Sequence, residues 1–242
     1  MGTRTYRTIL IGNGNVASHL GEALQCAGHQ VIYVGGRTRI IPIPRDTDLY
    51  IIAVTDSAIA SVAAEIGDVP GLVVHTAGSV PMNVLPQRNR GVLYPLQTFT
   101  KGRPIDMWAV PLFIESDGDI QLLREVAGQI SSNVTEMDSQ RRRYLHLAAV
   151  FCCNFTNHMY RITESMLAEH DIPFSVMLPL IDETAHKVHT LSPALAQTGP
   201  AVRWNQEVMK AQLELLERED LKQLYQIISK SIHHDKLQSS ED

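Results

Sequence analysis

The stretch "TILIGNGNVASHLGEALQCAGHQVIYV", residues 8–34, decides the fold of this 242-residue chain. A short apolar run ends at Gly12, a helical pattern of apolar residues continues to Gly28, and a second apolar run closes the stretch. Strand, glycine turn, helix and strand, in this order, open a doubly wound sheet. Gly12, Gly14 and Ala17 fit the G-x-G-x-x-A pattern, which holds a diphosphate on backbone amides at a helix N-terminus. The stretch therefore predicts dinucleotide binding, and the alternative is a glycine turn that only connects two elements.

Composition excludes several classes of protein. The chain has 21 basic and 26 acidic residues, a net charge of −5, and no basic block, so we expect no nucleic-acid partner. No apolar run reaches the length of about 18 residues that a membrane span needs, and the N-terminus lacks the pattern of a signal peptide. The three cysteines do not have metal-site spacing. We therefore expect a cytoplasmic protein with no membrane partner and no metal.

The chain changes character at about Ser139. Before it, near-continuous apolar runs are separated by turns or short helical patterns, which fits a mostly parallel sheet covered on both faces. After it, helical patterns continue to the C-terminus. The predicted fold class is α/β, with a Rossmann-like doubly wound sheet in an NAD(P)-binding domain at residues 1–138. An all-α domain at residues 139–242 would carry the substrate cleft and the dimer interface.

The first predicted helix of the second domain has an apolar stripe that includes Phe151, Phe155 and Met159. Such a stripe belongs either to a core or to an interface between subunits. We expect it to help pair two chains into a homodimer.

The end of the second strand lacks the acid that usually binds an adenosine ribose. Arg37, Thr38 and Arg39 stand there instead, and they offer donors and positive charge to a 2′-phosphate. This pattern favours NADP over NAD, unless the two arginines are simply solvated. The connection from Gly35 to Asp48 is also too short for an ordinary crossover helix, which predicts an irregular loop or a lost edge segment.

Ligands of open parallel sheets lie beyond the carboxyl ends of the strands, so the residues that follow each apolar run are the candidates for the cofactor site. The predicted cofactor-binding residues are Gly12, Asn13, Gly14, Asn15, Val16, Arg37, Thr38, Arg39, Val54, Thr55, Thr76 and Ala77.

Four residues are the predicted catalytic group. His75 and Gln97 follow apolar runs and would face the substrate, where an imidazole can exchange a proton near neutral pH. Asn154 and His158 belong to a polar stripe on the first long helix. The alternatives are a strand-end histidine bonded to nearby backbone and, for the stripe, a hydrogen-bond network between helices.

Four further segments carry a resemblance that covers almost the whole chain: "HTAGSVPMNVL", "GVLYPLQTFTKG", "HLAAVFCCNFTNHMY" and "LAQTGPAVRWN". With the glycine turn, they resemble bacterial Rossmann-like proteins that have a C-terminal domain of unknown function and are labelled NADP oxidoreductases of the deazaflavin-coenzyme-dependent type. The chain is distantly similar to pyrroline-5-carboxylate reductase and the 6-phosphogluconate dehydrogenase superfamily. The resemblance implies a nicotinamide cofactor and, by label alone, a deazaflavin coenzyme.

One branch of that superfamily has a G-x-x-x-K-x-x-x-N pattern in its helical domain, which aligns here with Ala149, Cys153 and Asn157 and lacks the lysine. That branch's acid/base mechanism is therefore not transferred. The preferred function is hydride transfer between NADP(H) and a small carbonyl or imine compound. The alternative is a dinucleotide-binding sensor or scaffold without catalysis.

Overall fold

A seven-stranded sheet organises the first part of the chain. The computed structural model describes residues 4–35 and 43–238. The strand order is β2-β1-β3-β4-β5-β6-β7, and every neighbouring pair is parallel except β5 with β6. The predicted mostly parallel sheet is thus confirmed. The strands are β1 (Arg7–Ile11), β2 (Gln30–Val34), β3 (Leu49–Ile52), β4 (Leu72–His75), β5 (Arg90–Pro95), β6 (Leu112–Ser116) and β7 (Val134–Glu136).

Helices cover both faces of the sheet and form most of the chain after it. A wider π-helical stretch, Val150–Phe155, joins α4 to α5. The described helices are α1 (Asn15–Cys26), α2 (Ile59–Ile66), α3 (Ile120–Ile130), α4 (Ser139–Ala149), α5 (Thr156–Ala168), α6 (Leu178–Lys187), α7 (Pro193–Ala196), α8 (Gln206–Glu214) and α9 (Glu219–Gln238).

Two apolar cores lie on opposite faces of the sheet because successive strand residues point in opposite directions. In β1, Leu10 belongs to the core under α1 and α3, whereas Ile9 and Ile11 belong to the core under α2. Each fully buried aliphatic side chain contributes about 1.5–3 kcal/mol to folding. This two-faced burial explains why the strands are apolar at nearly every position.

The strand order places a switch point at β1. The chain moves from β1 to β2 on one side, whereas β3 pairs with the other side of β1. The carboxyl ends of β1 and β3 therefore border the crevice in which such sheets bind ligands. Residues 43–48, the described part of the connection into β3, form no helix. Residues 36–42 of the predicted irregular loop lie outside the described residues.

Two compact units divide between Tyr160 and Arg161. The sequence places a domain boundary at residues 138/139, where the strands do end. The first unit nevertheless includes all of α4, because Arg142 in that helix is fully buried and pairs with Glu115 of β6. Within the described residues, none of the helices combines the length and apolar character that crossing a membrane requires. The cytoplasmic location stays a prediction.

Candidate functional site

The turn after β1 requires glycine at its first position. Gly12 has φ +131°, and its amide donates to the carbonyl of Val34 at 2.9 Å. A Cβ atom at Gly12 would lie 2.1 Å from the carbonyl oxygen of Ala53, which directly follows β3. Gly35 approaches from β2, and a Cβ there would lie 3.0 Å from the Gly12 nitrogen. The ends of β1, β2 and β3 therefore converge so closely that position 12 has no room for a side chain.

The N-terminus of α1 is open. Gly14 occupies the N-cap position, where no side chain accepts from the first-turn amides. Those amides have no partner within the helix. The side chain of Asn15 turns away and donates to the carbonyl of Phe99 at 2.8 Å. A Cβ atom at Gly14 would meet nothing within 4 Å. The donors therefore face free space, and a helix N-terminus of this kind attracts anions.

A cavity of ≈440 Å3 lies over this turn. Eight of its nine lining residues are among the predicted cofactor-binding positions, and the ninth is Ala53. Ala77 does not line it, because its side chain packs into the core under α2. The predicted residues Arg37, Thr38 and Arg39 lie outside the described residues. The predicted positions that the structure brings together are Gly12, Asn13, Gly14, Asn15, Val16, Val54, Thr55 and Thr76.

A loop braces one side of the turn through His19. The two ring nitrogens of His19 lie 2.8 Å from the carbonyl oxygen of Asn15 and 3.0 Å from that of Arg103. These two carbonyls raise the pKa of His19 above its ordinary value because they favour a ring that carries both protons. Phe99 of the same loop contacts the ring, with centroids 4.9 Å apart. The loop is thus held against α1 beside the cavity. Sequence reasoning missed this contact, since the partners lie 84 residues apart.

His75 is buried rather than exposed at the strand end. Its side chain has no solvent exposure, and its Nδ1 accepts from the amide of Ala77 at 3.2 Å. Burial, and secondly the positive charge of Arg142, lower its pKa to about 4, so the ring is neutral at pH 7. This arrangement matches the alternative of a histidine bonded to nearby backbone. The catalytic role of His75 stays a prediction, and its lack of access to solvent counts against it.

The other three predicted catalytic residues are exposed and line neither of the two cavities described in this section. Gln97 uses its Oε1 to accept from the amide of Thr98 at 2.8 Å. Asn154 lies in the π-helical stretch and His158 in α5. The structure therefore does not bring the four residues together around one cavity.

A second cavity, of ≈530 Å3, follows α4 along its length to Val150. Its lining combines polar residues with the apolar side chains of Leu147 and Val150, and none of them is among the predicted site residues. Ser79 belongs to this lining, and Thr76, three residues earlier, lines the first cavity. The loop after β4 therefore contributes to both cavities. The polar residues are Ser79, Gln140, Arg143, Tyr144 and His146.

His146 of this lining contacts a buried tyrosine, Tyr94. Tyr94 Oη of β5 lies 3.0 Å from His146 Nδ1, and the two rings pack edge-on with centroids 5.9 Å apart. Gly78 makes room for them, since a Cβ there would lie 2.6 Å from His146 Nδ1. Burial raises the pKa of Tyr94, so it remains a neutral phenol at pH 7. The pair joins β5 to α4 across 52 residues of sequence.

A buried ion pair fixes α4 to the sheet. The Arg142 guanidinium has no exposed area and donates through one nitrogen to Glu115. Its other terminal nitrogen donates to the Val80 carbonyl at 2.7 Å and to Ser139 Oγ at 3.1 Å. Because a buried charge must be paired and hydrogen-bonded, these contacts set the position of α4 and of the neighbouring residues that line the second cavity.

A mostly parallel sheet with helices on both faces and a glycine turn at its switch point defines the Rossmann-like class of folds. Residues 110–232 match the model of a domain of unknown function, DUF2520. The chain belongs to this family, which confirms the resemblance found in the sequence.

Solved structures agree with this assignment. A Bacteroides fragilis protein named as a proposed NADP oxidoreductase is 40% identical, with a TM-score of 0.88, and the match covers 95% of this chain and 98% of that chain. A Thermotoga maritima protein is 17% identical, with a TM-score of 0.75 over 96% of this chain and 99% of that one. The 1-pyrroline-5-carboxylate reductase of Streptococcus pyogenes is 13% identical, with a TM-score of 0.60 over 96% and 98%. The last two likenesses show the fold alone. A search of curated proteins found no match.

Proposed function

We propose that the chain is an oxidoreductase that uses NADP(H) to transfer hydride to or from a small carbonyl or imine compound. The observation that carries the proposal is the open N-terminus of α1, which faces a ≈440 Å3 cavity at the switch point of the sheet. The activity named for the Bacteroides fragilis protein, at 40% identity, supports the same assignment.

The residues of the first cavity suit a dinucleotide. Backbone amides after Gly12, in the first turn of α1, would hold the diphosphate, because no side chain caps them. Thr55 and Thr76, at the ends of β3 and β4, offer hydroxyls along the same cavity. A bound nicotinamide supplies the hydride, and the chain contributes position, polarity and one proton. The deazaflavin coenzyme stays a prediction from the resemblance.

The preference for NADP over NAD rests on the sequence. Arg37 and Arg39 follow β2, where a 2′-phosphate needs positive charge. We expect Arg37→Ala to weaken NADPH binding about tenfold or more and to leave NADH binding unchanged, because only NADPH carries the extra phosphate. Isothermal titration with both cofactors measures this, with Arg124→Ala in α3, which does not line the cavity, as a loss of equal charge. Equal effects of Arg37→Ala on both cofactors would sink the 2′-phosphate assignment.

We also propose that two chains form a homodimer through the helical part. Phe151 and Phe155 lie beside each other in the π-helical stretch between α4 and α5, yet their side chains are 62% and 50% exposed. Of the two alternatives for the apolar stripe, these exposures favour an interface over a core. Sedimentation velocity tests the proposal, since Phe151→Glu should convert a dimer to a monomer. A monomeric wild-type chain at micromolar concentration would refute it.

Turnover is tested by following NADPH absorbance with a panel of 2-oxo acids, aldehydes, ketones and cyclic imines. We expect at least one of these classes of compound to oxidise NADPH. A substitution that blocks the cofactor cavity should abolish this turnover. Tight NADPH binding without turnover of any class would instead support the sensor alternative.

A further inference from the structure

The second cavity has the size and lining of a small-molecule site. Its ≈530 Å3 lies within the range of ligand pockets, about 300–1,000 Å3. It combines apolar walls, from Leu147 and Val150, with converging polar groups from α4 and from the loop after β4. Such a mixture of apolar walls and a few polar groups is typical of ligand sites. The cofactor assignment uses none of these residues.

The lining of the cavity carries one cationic side chain, and the Asp56 carboxylate is hydrogen-bonded to the lining residue Ser79. Arg143 lines it and forms neither an ion pair nor a hydrogen bond with any residue that the structure describes, in contrast to its neighbour Arg142. None of the lining residues is acidic. A guanidinium binds a carboxylate through two parallel hydrogen bonds, and the amide of Gln140 adds a neutral donor beside it. The Ser79 hydroxyl already donates to the Asp56 carboxylate. This arrangement favours a ligand that carries a carboxylate.

One ring nitrogen of His146 is free to exchange a proton with that ligand. Nδ1 is held by Tyr94 Oη at 3.0 Å, so Nε2 is the nitrogen available to the cavity that His146 lines. Nε2 has no hydrogen-bond partner among the described residues. In a ring whose Nδ1 donates to Tyr94 Oη, Nε2 carries the exchangeable proton. Tyr94 is itself held in place by burial, with 8% of its surface exposed.

We propose that the second cavity is the substrate site and takes a small 2-oxo acid or the corresponding imino acid, with Arg143 binding the carboxylate and His146 as the proton donor. This proposal rests on the proposed function, since it names the substrate class for that hydride transfer. The loop that contributes Thr76 to the cofactor cavity contributes Ser79 to this one, so the two cavities share one loop.

The proton balance of the step is simple. Hydride from the reduced nicotinamide forms a new C–H bond, and the C=O or C=N double bond becomes a single bond. The protonated His146 ring gives its Nε2 proton to that oxygen or nitrogen and becomes neutral, with its Nδ1 proton still donated to Tyr94 Oη. Water then returns a proton to Nε2. The products are a hydroxy or amino acid and the oxidised cofactor. His146 is the catalytic residue, and Tyr94 is a positioning residue.

Binding without cofactor tests the carboxylate site directly. The probe is 2-oxobutanoate, followed by isothermal titration, with its methyl ester and inorganic phosphate as comparisons. We expect Arg143→Gln to raise the Kd of the acid about tenfold or more. Arg141→Gln is the matched control, because Arg141 is exposed on the same helix and does not line the cavity. Equal binding of acid and ester, tighter binding of phosphate than of the acid, or equal effects of the two variants would overturn the proposal.

Kinetics with the best substrate of the panel test the proton donor. We expect His146→Gln to lower kcat about a hundredfold with KM nearly unchanged. Tyr94→Phe should lower kcat less, also at constant KM, whereas a merely structural loss would change both. Unchanged kcat in His146→Gln would overturn the role of the ring.

The two proposals fail in different ways. If NADPH binds and neutral aldehydes turn over while 2-oxobutanoate neither binds nor reacts, the substrate class is wrong and the oxidoreductase remains. If the acid binds through Arg143 but no compound oxidises NADPH, the carboxylate site remains and the oxidoreductase is wrong.

Discussion

Replacing Gly14 by aspartate should weaken cofactor binding without lowering the stability of the fold. Gly14 has φ −77° and ψ −174°, an extended conformation that aspartate adopts without strain, and its Cβ would meet nothing within 4 Å. Aspartate is a good N-cap residue, since its carboxylate accepts from the first-turn amides, and it exceeds glycine there by only a few tenths of a kcal/mol. The free energy of unfolding of Gly14→Asp should therefore be equal to that of the wild type or higher by about 0.3 kcal/mol.

The same carboxylate should oppose a dinucleotide. It would occupy the amides that the diphosphate needs, and it would add a negative charge beside two others. At about 4 Å, each pair of like charges costs about 1 kcal/mol in water and about 4 kcal/mol at an effective dielectric constant of 20. Even the lower value, taken twice, gives a loss of about 2 kcal/mol, or about 30-fold in Kd.

The assay pairs urea denaturation with isothermal titration of NADPH. Gly128→Asp is the matched control, because a Cβ at this exposed glycine of α3 also meets nothing within 4 Å and the net charge changes equally. It should leave the Kd unchanged. Wild-type affinity in Gly14→Asp would refute the reasoning that the diphosphate lies on these amides.

Three further substitutions test the fold that supports the site. Gly12→Ala should cost at least about 2 kcal/mol of unfolding free energy in urea, because the turn needs a positive φ and the new Cβ would overlap a backbone carbonyl. His75→Asn keeps an acceptor for the Ala77 amide and should flatten the pH dependence of stability. The pKa of about 4 in the folded chain lies below the ordinary histidine value of 6.5, so the wild type should lose up to about 3 kcal/mol of unfolding free energy as pH falls from about 6.5 to about 4, and an unchanged slope would contradict this. Arg142→Met should cost about 3–5 kcal/mol by leaving Glu115 unpaired, and adding Glu115→Gln should recover part of it.

Local rules made the glycine turn after β1 predictable. The need for glycine at position 12 and the open amides after it follow from the geometry of the turn. Thr55 and Thr76 follow apolar runs, so their placement after strands could also be read from the sequence. The shortness of the connection after β2 was also visible in the sequence, since parallel connections usually take a dozen or more residues.

Contacts between distant segments could not be read from the sequence. His75 ends an apolar strand, but only the sheet register, which places it between Ile52 and Val92, buries it fully. The pair of Tyr94 and His146 depends on how α4 packs on β5. The apolar stripe with Phe151 has the same period in a core and at an interface, so periodicity alone left both open.

The most direct test of the central claim is a crystal structure of the chain soaked with NADPH. The account predicts the diphosphate within hydrogen-bond distance of the amides in the first turn of α1, with the nicotinamide toward Thr55 and Thr76. NADPH bound elsewhere on the chain, or no ligand density at the turn at saturating NADPH, would contradict it.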